Sequence, residues 1–170
     1  MKNRKSFFII ICIMIFLLAI AIITGYGNIY LLFLMNIAII TYLIRKKYNW
    51  RLILIIIFQW LFYLFLLIVH VYFMKLPGSG DDDLRFEQLS VNYYYHMAFG
   101  TSINLFQDAT TYPKLIGFFY LLGTPNKMIP GLINITIHTI TIILLYQISK
   151  YVFKNEKVAL VSSFLYTIYP

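Results

Sequence analysis

The sequence predicts an all-α, polytopic integral membrane protein with about five transmembrane helices and an external loop that carries short amphipathic helices. Composition is the first observation: 61% of the 170 residues are hydrophobic, only 12% are charged, and the mean hydropathy is +0.80. A soluble domain carries about 25% charged residues. The second observation is that the apolar residues gather into long runs, and roughly 20 such residues are enough to cross a bilayer.

Five apolar runs are predicted as membrane helices. They cover residues 7–24, 29–44, 52–74, 129–148 and 158–170, the last of them shorter than a full span. Gly25–Asn28 separates the first two runs and is typical of a tight turn. These runs divide the chain into a three-span region at 1–74, an external loop at 75–128 and two further spans at 129–170.

The first apolar run also has features of a secretory signal, because Lys2, Arg4 and Lys5 precede it and Ala19 and Ala21 offer a cleavage site. A signal core is usually 7 to 15 apolar residues long, and this run is longer and continues past both alanines. A retained membrane helix is therefore favoured. Cys12 is the only cysteine, so neither an intramolecular disulfide nor a multi-cysteine metal site is predicted.

The distribution of charge predicts the orientation, because cytoplasmic segments of membrane proteins are rich in Lys and Arg. With a cytoplasmic N-terminus, ten of the fourteen basic residues lie inside, for a formal charge of +9, and the outside segments carry −1. The predicted inside residues are Lys2, Arg4, Lys5, Arg45, Lys46, Lys47, Arg51, Lys150, Lys154 and Lys157. The basic balance is thus a topology signal, and no nucleic-acid partner is predicted, since no loop interleaves basic and stacking aromatic residues.

The external loop contains the main candidate for chemistry, the three consecutive carboxylates Asp81–Asp83. A charged side chain in the bilayer centre costs roughly 2.5 to 3.5 kcal/mol even on lenient scales, so these residues are expected in a site that water reaches. They follow the flexible segment Leu76–Gly80 and open an amphipathic helix with Phe86, Leu89, Tyr93 and Met97 on one face. The helix dipole favours ionised carboxylates in its first turn.

A second short helix is predicted after Pro113, which suits a first helical position, and Gly123 is its expected stop. About ten residues cannot span a bilayer, so this helix is expected to lie along the membrane surface or to dip into it. Tyr93–Tyr95 are interpreted as an interfacial aromatic belt, with stacking on a sugar as the alternative. His70 and His138 lie within predicted spans, and a neutral His bonded to a neighbouring helix is the favoured interpretation over a functional one.

The segment 82–90, Asp-Asp-Leu-Arg-Phe-Glu-Gln-Leu-Ser, resembles the acidic motif of the GT-C glycosyltransferases, the polytopic enzymes that include protein O-mannosyltransferases and aminoarabinose transferases of lipid A. Those enzymes carry an Asp-Glu pair followed by an aromatic residue three positions on, in the first large external loop. Tyr112–Pro113, Gly123, Leu132–Asn134, and Leu145–Tyr146 with Lys150 and Phe153 also match, and the resemblance covers about Gly80 to Pro170.

The resemblance implies transfer of a sugar, with inversion, from a polyprenyl-phosphate donor to a hydroxyl of an acceptor glycan, lipid or protein at the external face of the cell membrane. It implies that Asp82 is the catalytic carboxylate and that Asp83 is its neighbour. An ionised carboxylate can accept the proton of the attacking hydroxyl. Arg85, Lys114 and Lys127 are the candidates for binding the donor phosphate. Clustered carboxylates also suit a hard cation such as Mg²⁺ or Mn²⁺, with Asp81 and Asp83 as candidate ligands.

The chain departs from the family pattern in three respects. Asp83 stands where the family has Glu, two apolar runs precede the segment with which the family usually begins, and family members have more spans. The sequence is therefore expected to be the N-terminal part of such an enzyme, inactive by itself. Two alternatives remain open: a transport or flippase component, and a non-catalytic polytopic subunit of envelope polysaccharide assembly.

Overall fold

The described part of the chain is entirely α-helical, in agreement with the predicted class. A computed structural model describes residues 14–76, 81–102 and 111–168, and for residues 81–84 it describes the backbone without the side chains. Within these ranges there are seven helices and no strand. They are α1 (Met14–Ile23), α2 (Gly27–Arg45), α3 (Trp50–Tyr72), α4 (Asp81–Phe99), α5 (Thr111–Tyr120), α6 (Met128–Phe153) and α7 (Glu156–Ile168).

Three of the described helices, α2, α3 and α6, are long and apolar enough to cross a membrane, so the prediction of a membrane protein with transmembrane helices is confirmed. They correspond to the second, third and fourth predicted runs, and α6 extends five residues beyond its predicted end. The described part of α1 has 10 residues and α7 has 13. Residues 7–13 of the first predicted span lie outside the described residues.

The surface of α3 shows most directly that these helices suit a lipid environment. Large apolar side chains at a spacing of three and four residues remain 37–62% exposed along one face, namely Leu54, Phe58, Leu61, Phe65 and Ile68. Trp50 and Tyr72, both about two-thirds exposed, mark the two ends. At 1.5 Å per residue these ends are about 33 Å apart, close to the thickness of a bilayer core, and Trp and Tyr are enriched at both of its interfaces.

Local signals in the sequence explain where several helices begin and end. Asn49 precedes α3 and its side chain accepts a hydrogen bond from the backbone N–H of Arg51 at 2.8 Å; Asn155 does the same for Lys157 at the start of α7, at 2.9 Å. Shortly after α2 and α6 end, Lys47 and Lys154 adopt the left-handed conformation, with φ of 55° and 48°. Such residues commonly end a helix, although Gly is the usual one.

The chain forms two compact units. The loop unit comprises Met1–Leu32 and Pro77–Pro130, and within its described residues it contains α1, α4, α5 and the first turns of α2 and α6. The span unit comprises Phe33–Leu76 and Gly131–Pro170 and contains α3, α7 and most of α2 and α6.

The span unit has an apolar core and buried polar contacts between its helices. Side chains from all four helices form the core: Leu43, Leu52, Ile53, Ile56, Ile142, Tyr146, Ala159 and Leu160. Asn36 Nδ2 donates to Thr136 Oγ1 at 2.8 Å, and Thr139 Oγ1 donates to Gln59 Oε1 at 2.9 Å. Hydrogen bonds of this kind connect helices where no water is present. Thr136 and Thr139 of α6 therefore connect this helix to α2 and α3.

Candidate functional site

The predicted acidic helix exists, and it packs against the second short helix of the loop. In the described residues α4 runs from Asp81 to Phe99 and α5 from Thr111 to Tyr120. Because α5 already includes the two residues before Pro113, the prediction of Pro113 as the first helical residue is wrong. Pro113 is the third residue of α5. That position is still within the first turn, where a missing N–H breaks no hydrogen bond of the helix.

Gly117 lies where α4 and α5 approach most closely. A Cβ atom at this position would be 2.9 Å from the backbone oxygen of Ser90 and 2.9 Å from the Cβ of Tyr93. Real Cβ atoms do not approach other atoms so closely, so the backbone of α5 reaches α4 only because residue 117 has no side chain. Ser90 is fully buried at this contact and its hydroxyl donates to the carbonyl of Phe86 at 2.6 Å.

Aromatic rings join the two helices on both sides of this contact. Phe86 meets Tyr112 edge to face with ring centroids 6.2 Å apart, and Tyr94 meets Tyr120 in the same way at 6.3 Å. Such pairs add about 0.5 to 1.5 kcal/mol beyond the area that they bury. Tyr93 itself is only 4% exposed, so Tyr93–Tyr95 do not form one surface belt: Tyr93 belongs to the helix contact, and Tyr95, at 46%, remains exposed.

The charge of Glu87 acts on the buried end of α5. Burial raises the pKa of Tyr120 to about 12, and the nearby charge of Glu87 and the hydroxyl of Tyr112 contribute in the same direction. Tyr120 is therefore protonated at neutral pH. Glu87 follows the Asp cluster by one helical turn, and sequence reasoning did not single it out.

The predicted catalytic residues Asp82 and Asp83 lie in the first turn of α4, together with Asp81. Their side chains are outside what the structure describes, so their roles as base, neighbour and metal ligand stay predictions. Among the described side chains, no group of three His, Cys, Asp or Glu residues is arranged to hold a metal ion.

The three candidate phosphate-binding residues lie in different places. Arg85 is exposed on α4, three residues after Asp82. Lys114 is exposed on α5, and its ammonium group lies 5.5 Å from the centre of the Tyr93 ring, within the range of a cation–π contact. Tyr93 follows Asp82 by eleven residues, or about 16 Å along the helix axis. Of these two residues, only Arg85 is close to the acidic turn.

Lys127, the third candidate, is exposed in the segment that leads into α6. This segment is attached to the predicted turn at Gly25–Asn28. The backbone N–H of Thr124 donates to the carbonyl of Gly25 at 3.0 Å, and Asn28 Nδ2 donates to the carbonyl of Thr124 at 2.9 Å. Gly25 has a φ of 81°, which favours glycine. The predicted turn thus also positions the segment that carries Lys127.

The two intramembrane histidines have local partners. The ring of His138 lies between the rings of Tyr63 on α3 and Tyr166 on α7, with centroids 4.9 and 4.7 Å away. His70 Nδ1 accepts the backbone N–H of Leu76 at 3.2 Å, beyond the end of α3. His138 therefore packs against aromatic rings of two neighbouring helices, whereas His70 bonds the chain that follows its own helix. The hydrogen bond expected for His138 stays a prediction.

Sequence reasoning missed a second candidate site, a polar cleft in the span unit. Its volume is about 560 Å³, and residues between α2 and α3, at the end of α6 and at the start of α7 line it. Lys46, Lys47 and Lys150 are among them. The sequence had marked Lys46 and Lys47 only as a topology signal, and Lys150 also as part of the family resemblance. A basic residue pattern predicts the membrane side of a segment, but it does not predict that separate segments meet around one cavity.

No family model, curated protein or solved structure matches the chain.

Proposed function

We propose that this chain belongs to a polytopic membrane glycosyltransferase of the GT-C type, in which the first turn of α4 provides the catalytic carboxylate. The observation that carries the proposal is the position of Asp81–Asp83 at the start of a helix that packs on α5 in the same loop. The resemblance of segment 82–90 to the GT-C acidic motif supports it. The three candidate spans are consistent with a membrane enzyme that uses a lipid-linked donor.

The proposed reaction is a single displacement at the anomeric carbon of the donor sugar. The acceptor hydroxyl attacks this carbon, the bond from carbon to the phosphate oxygen breaks, and the configuration inverts. Asp82 takes the proton of the attacking hydroxyl, and the polyprenyl phosphate leaves with the electron pair of the broken bond. Asp83 is assigned to hold Asp82 and the acceptor in position.

Arg85 is the first candidate to neutralise the leaving phosphate, because it lies on the same helix three residues after Asp82. Lys114 is assigned a smaller role, since it packs over Tyr93 about three turns further along α4. The finer topology belongs to the same proposal: five spans, a cytoplasmic N-terminus and an external acidic loop, as the distribution of Lys and Arg favours.

The proposal is tested by Asp82→Asn with Asp81→Asn as the matched control, because both remove one carboxylate from the same helical turn. Sugar transfer is measured in membrane vesicles that contain the full-length enzyme, with a panel of radiolabelled polyprenyl-phosphate sugars. We expect Asp82→Asn to lower transfer by roughly 10²- to 10⁴-fold, the usual contribution of a general base, and Asp81→Asn to change it little.

Two outcomes would contradict the proposal. Unchanged transfer in Asp82→Asn, at equal levels of membrane-inserted protein, would remove the catalytic role and favour a non-catalytic subunit. Transfer that requires inverted rather than right-side-out vesicles would overturn the external placement of the acidic loop.

A further inference from the structure

Hydrogen bonds between its lining residues hold the polar cleft of the span unit in shape. Its inner wall is held by two short hydrogen bonds: Gln147 Nε2 donates to the hydroxyl of Tyr48 at 2.6 Å, and the hydroxyl of Tyr146 donates to Glu156 Oε1 at 2.7 Å. The rings of Tyr48 and Tyr146 lie 6.3 Å apart, and Tyr146 is only 2% exposed. The cavity of about 560 Å³ therefore has a wall anchored in the core of the span unit.

The charges that line the cleft favour an anion. Lys46, Lys47 and Lys150 provide three ammonium groups against the single carboxylate of Glu156. That carboxylate already accepts the hydroxyl of Tyr146 and lies 3.5 Å from the ammonium of Lys150. Because Glu156 already pairs with Tyr146 and Lys150, Lys46 and Lys47 contribute the excess positive charge of the cleft.

The position of the cleft along the helices indicates where the anion comes from. Lys46 and Lys47 directly follow the last residue of α2, and α3 begins three residues after Lys47. Lys150 lies in the last turn of α6. Since α2, α3 and α6 are the candidate spans, their ends at the cleft coincide with the level of the lipid headgroups. Basic pockets between membrane helices at this level bind anionic headgroups.

We propose that this cleft binds the phosphate of an anionic membrane phospholipid, with Lys46 and Lys47 as its main contacts and Lys150 beside them. The Tyr48–Gln147 and Tyr146–Glu156 hydrogen bonds fix the inner wall of the cleft. The proposal does not depend on the chemistry of the acidic loop. It assigns a ligand to Lys46, Lys47 and Lys150, which the sequence analysis used to predict the orientation of the chain.

The experiment compares two double variants of the protein in lipid nanodiscs. Lys46→Gln with Lys47→Gln removes two charges from the cleft. Lys154→Gln with Lys157→Gln removes two charges from the short turn before α7 and its first residues, and neither residue lines the cleft. The pairs are closely matched, because each contains one lysine in the left-handed conformation, Lys47 or Lys154. The preference for spin-labelled phosphatidylglycerol over phosphatidylcholine is measured, and circular dichroism confirms the helical content of each variant.

We expect the wild type to prefer phosphatidylglycerol and the cleft variant to lose roughly 10- to 30-fold of that preference, while the control variant keeps most of it. Equal losses in both variants would overturn the proposal, because they would indicate diffuse surface charge. A second arm titrates inorganic phosphate into protein in phosphatidylcholine discs. Binding of phosphate that depends on Lys46 and Lys47, without any lipid preference, would overturn the lipid assignment in favour of a soluble phosphate compound.

Discussion

The two units of this protein differ in the contacts that join their helices. In the loop unit, α4 presents Arg85 and Gln88 at the surface, and it approaches α5 through Gly117, a residue without a side chain. In the span unit, Asn36, Gln59 and other polar side chains are buried, and they form hydrogen bonds between helices. Water can satisfy polar groups in the first environment but not in the second. Close backbone packing at Gly117 joins α4 to α5 in the loop unit, whereas hydrogen bonds between side chains of different helices add to apolar packing in the span unit.

We expect the largest difference in effect between the two units for Gly117→Ala in the loop unit, with Gly131→Ala in the span unit as its control. At position 117 the new Cβ meets a backbone oxygen and a Cβ that cannot easily move, so we expect a loss of about 1 to 3 kcal/mol in the packing of α4 on α5. At position 131 the Cβ meets the methyl groups of Leu67, which can rotate away. Hydrogen exchange of α4 and α5 in nanodiscs measures the effect. Equal exchange in both variants would show that Gly117 is not required for the contact.

A double-mutant cycle on Gln59 and Thr139 tests how much a buried hydrogen bond contributes to helix packing in the span unit. Gln59→Leu and Thr139→Val each remove the buried hydrogen bond between α3 and α6. We expect a coupling energy of about 0.6 kcal/mol, the average for such bonds in membranes, and at most about 1.7. Thermal unfolding in detergent measures it. A cycle with zero coupling would mean that apolar packing alone joins these helices.

The smallest expected effect is a pH dependence at the cleft. The hydroxyl of Tyr146 first, then Asn49 and Lys150, hold the pKa of Glu156 below its ordinary value. A lowered folded-state pKa gives stabilisation that is present above the ordinary pKa of Glu and is lost as the pH falls through the lowered value. We therefore expect unfolding temperatures to fall at acidic pH less steeply in Tyr146→Phe than in the wild type.

The control for this pH series is Tyr48→Phe, which changes a tyrosine of the same wall without removing a hydrogen bond to Glu156. An identical pH profile for the wild type and Tyr146→Phe would contradict the assigned cause of the pKa shift. Because Glu156 is exposed, salt is expected to weaken the effect.

Most of the helices were predictable from the sequence, because each signal is local. The apolar runs predicted α2, α3 and α6, and the acidic cluster after Gly78–Gly80 predicted the start of α4 at Asp81. The bounds of α5 were less predictable, since Pro113 is tolerated anywhere in a first turn. The interpretation of Tyr93 as a belt residue failed because spacing along α4 does not reveal which side α5 covers.

Local signals in the sequence were enough to predict the class of protein, the candidate spans and a helix that contains the three carboxylates, because hydropathy, length and capping act within a few turns of the chain. Two features became visible only in the folded chain: the close contact of Ser90 and Tyr93 with Gly117, and the cleft that Lys46 and Lys47 share with Lys150. These relations join residues far apart in sequence. They follow from the packing of helices against one another, which no local pattern records.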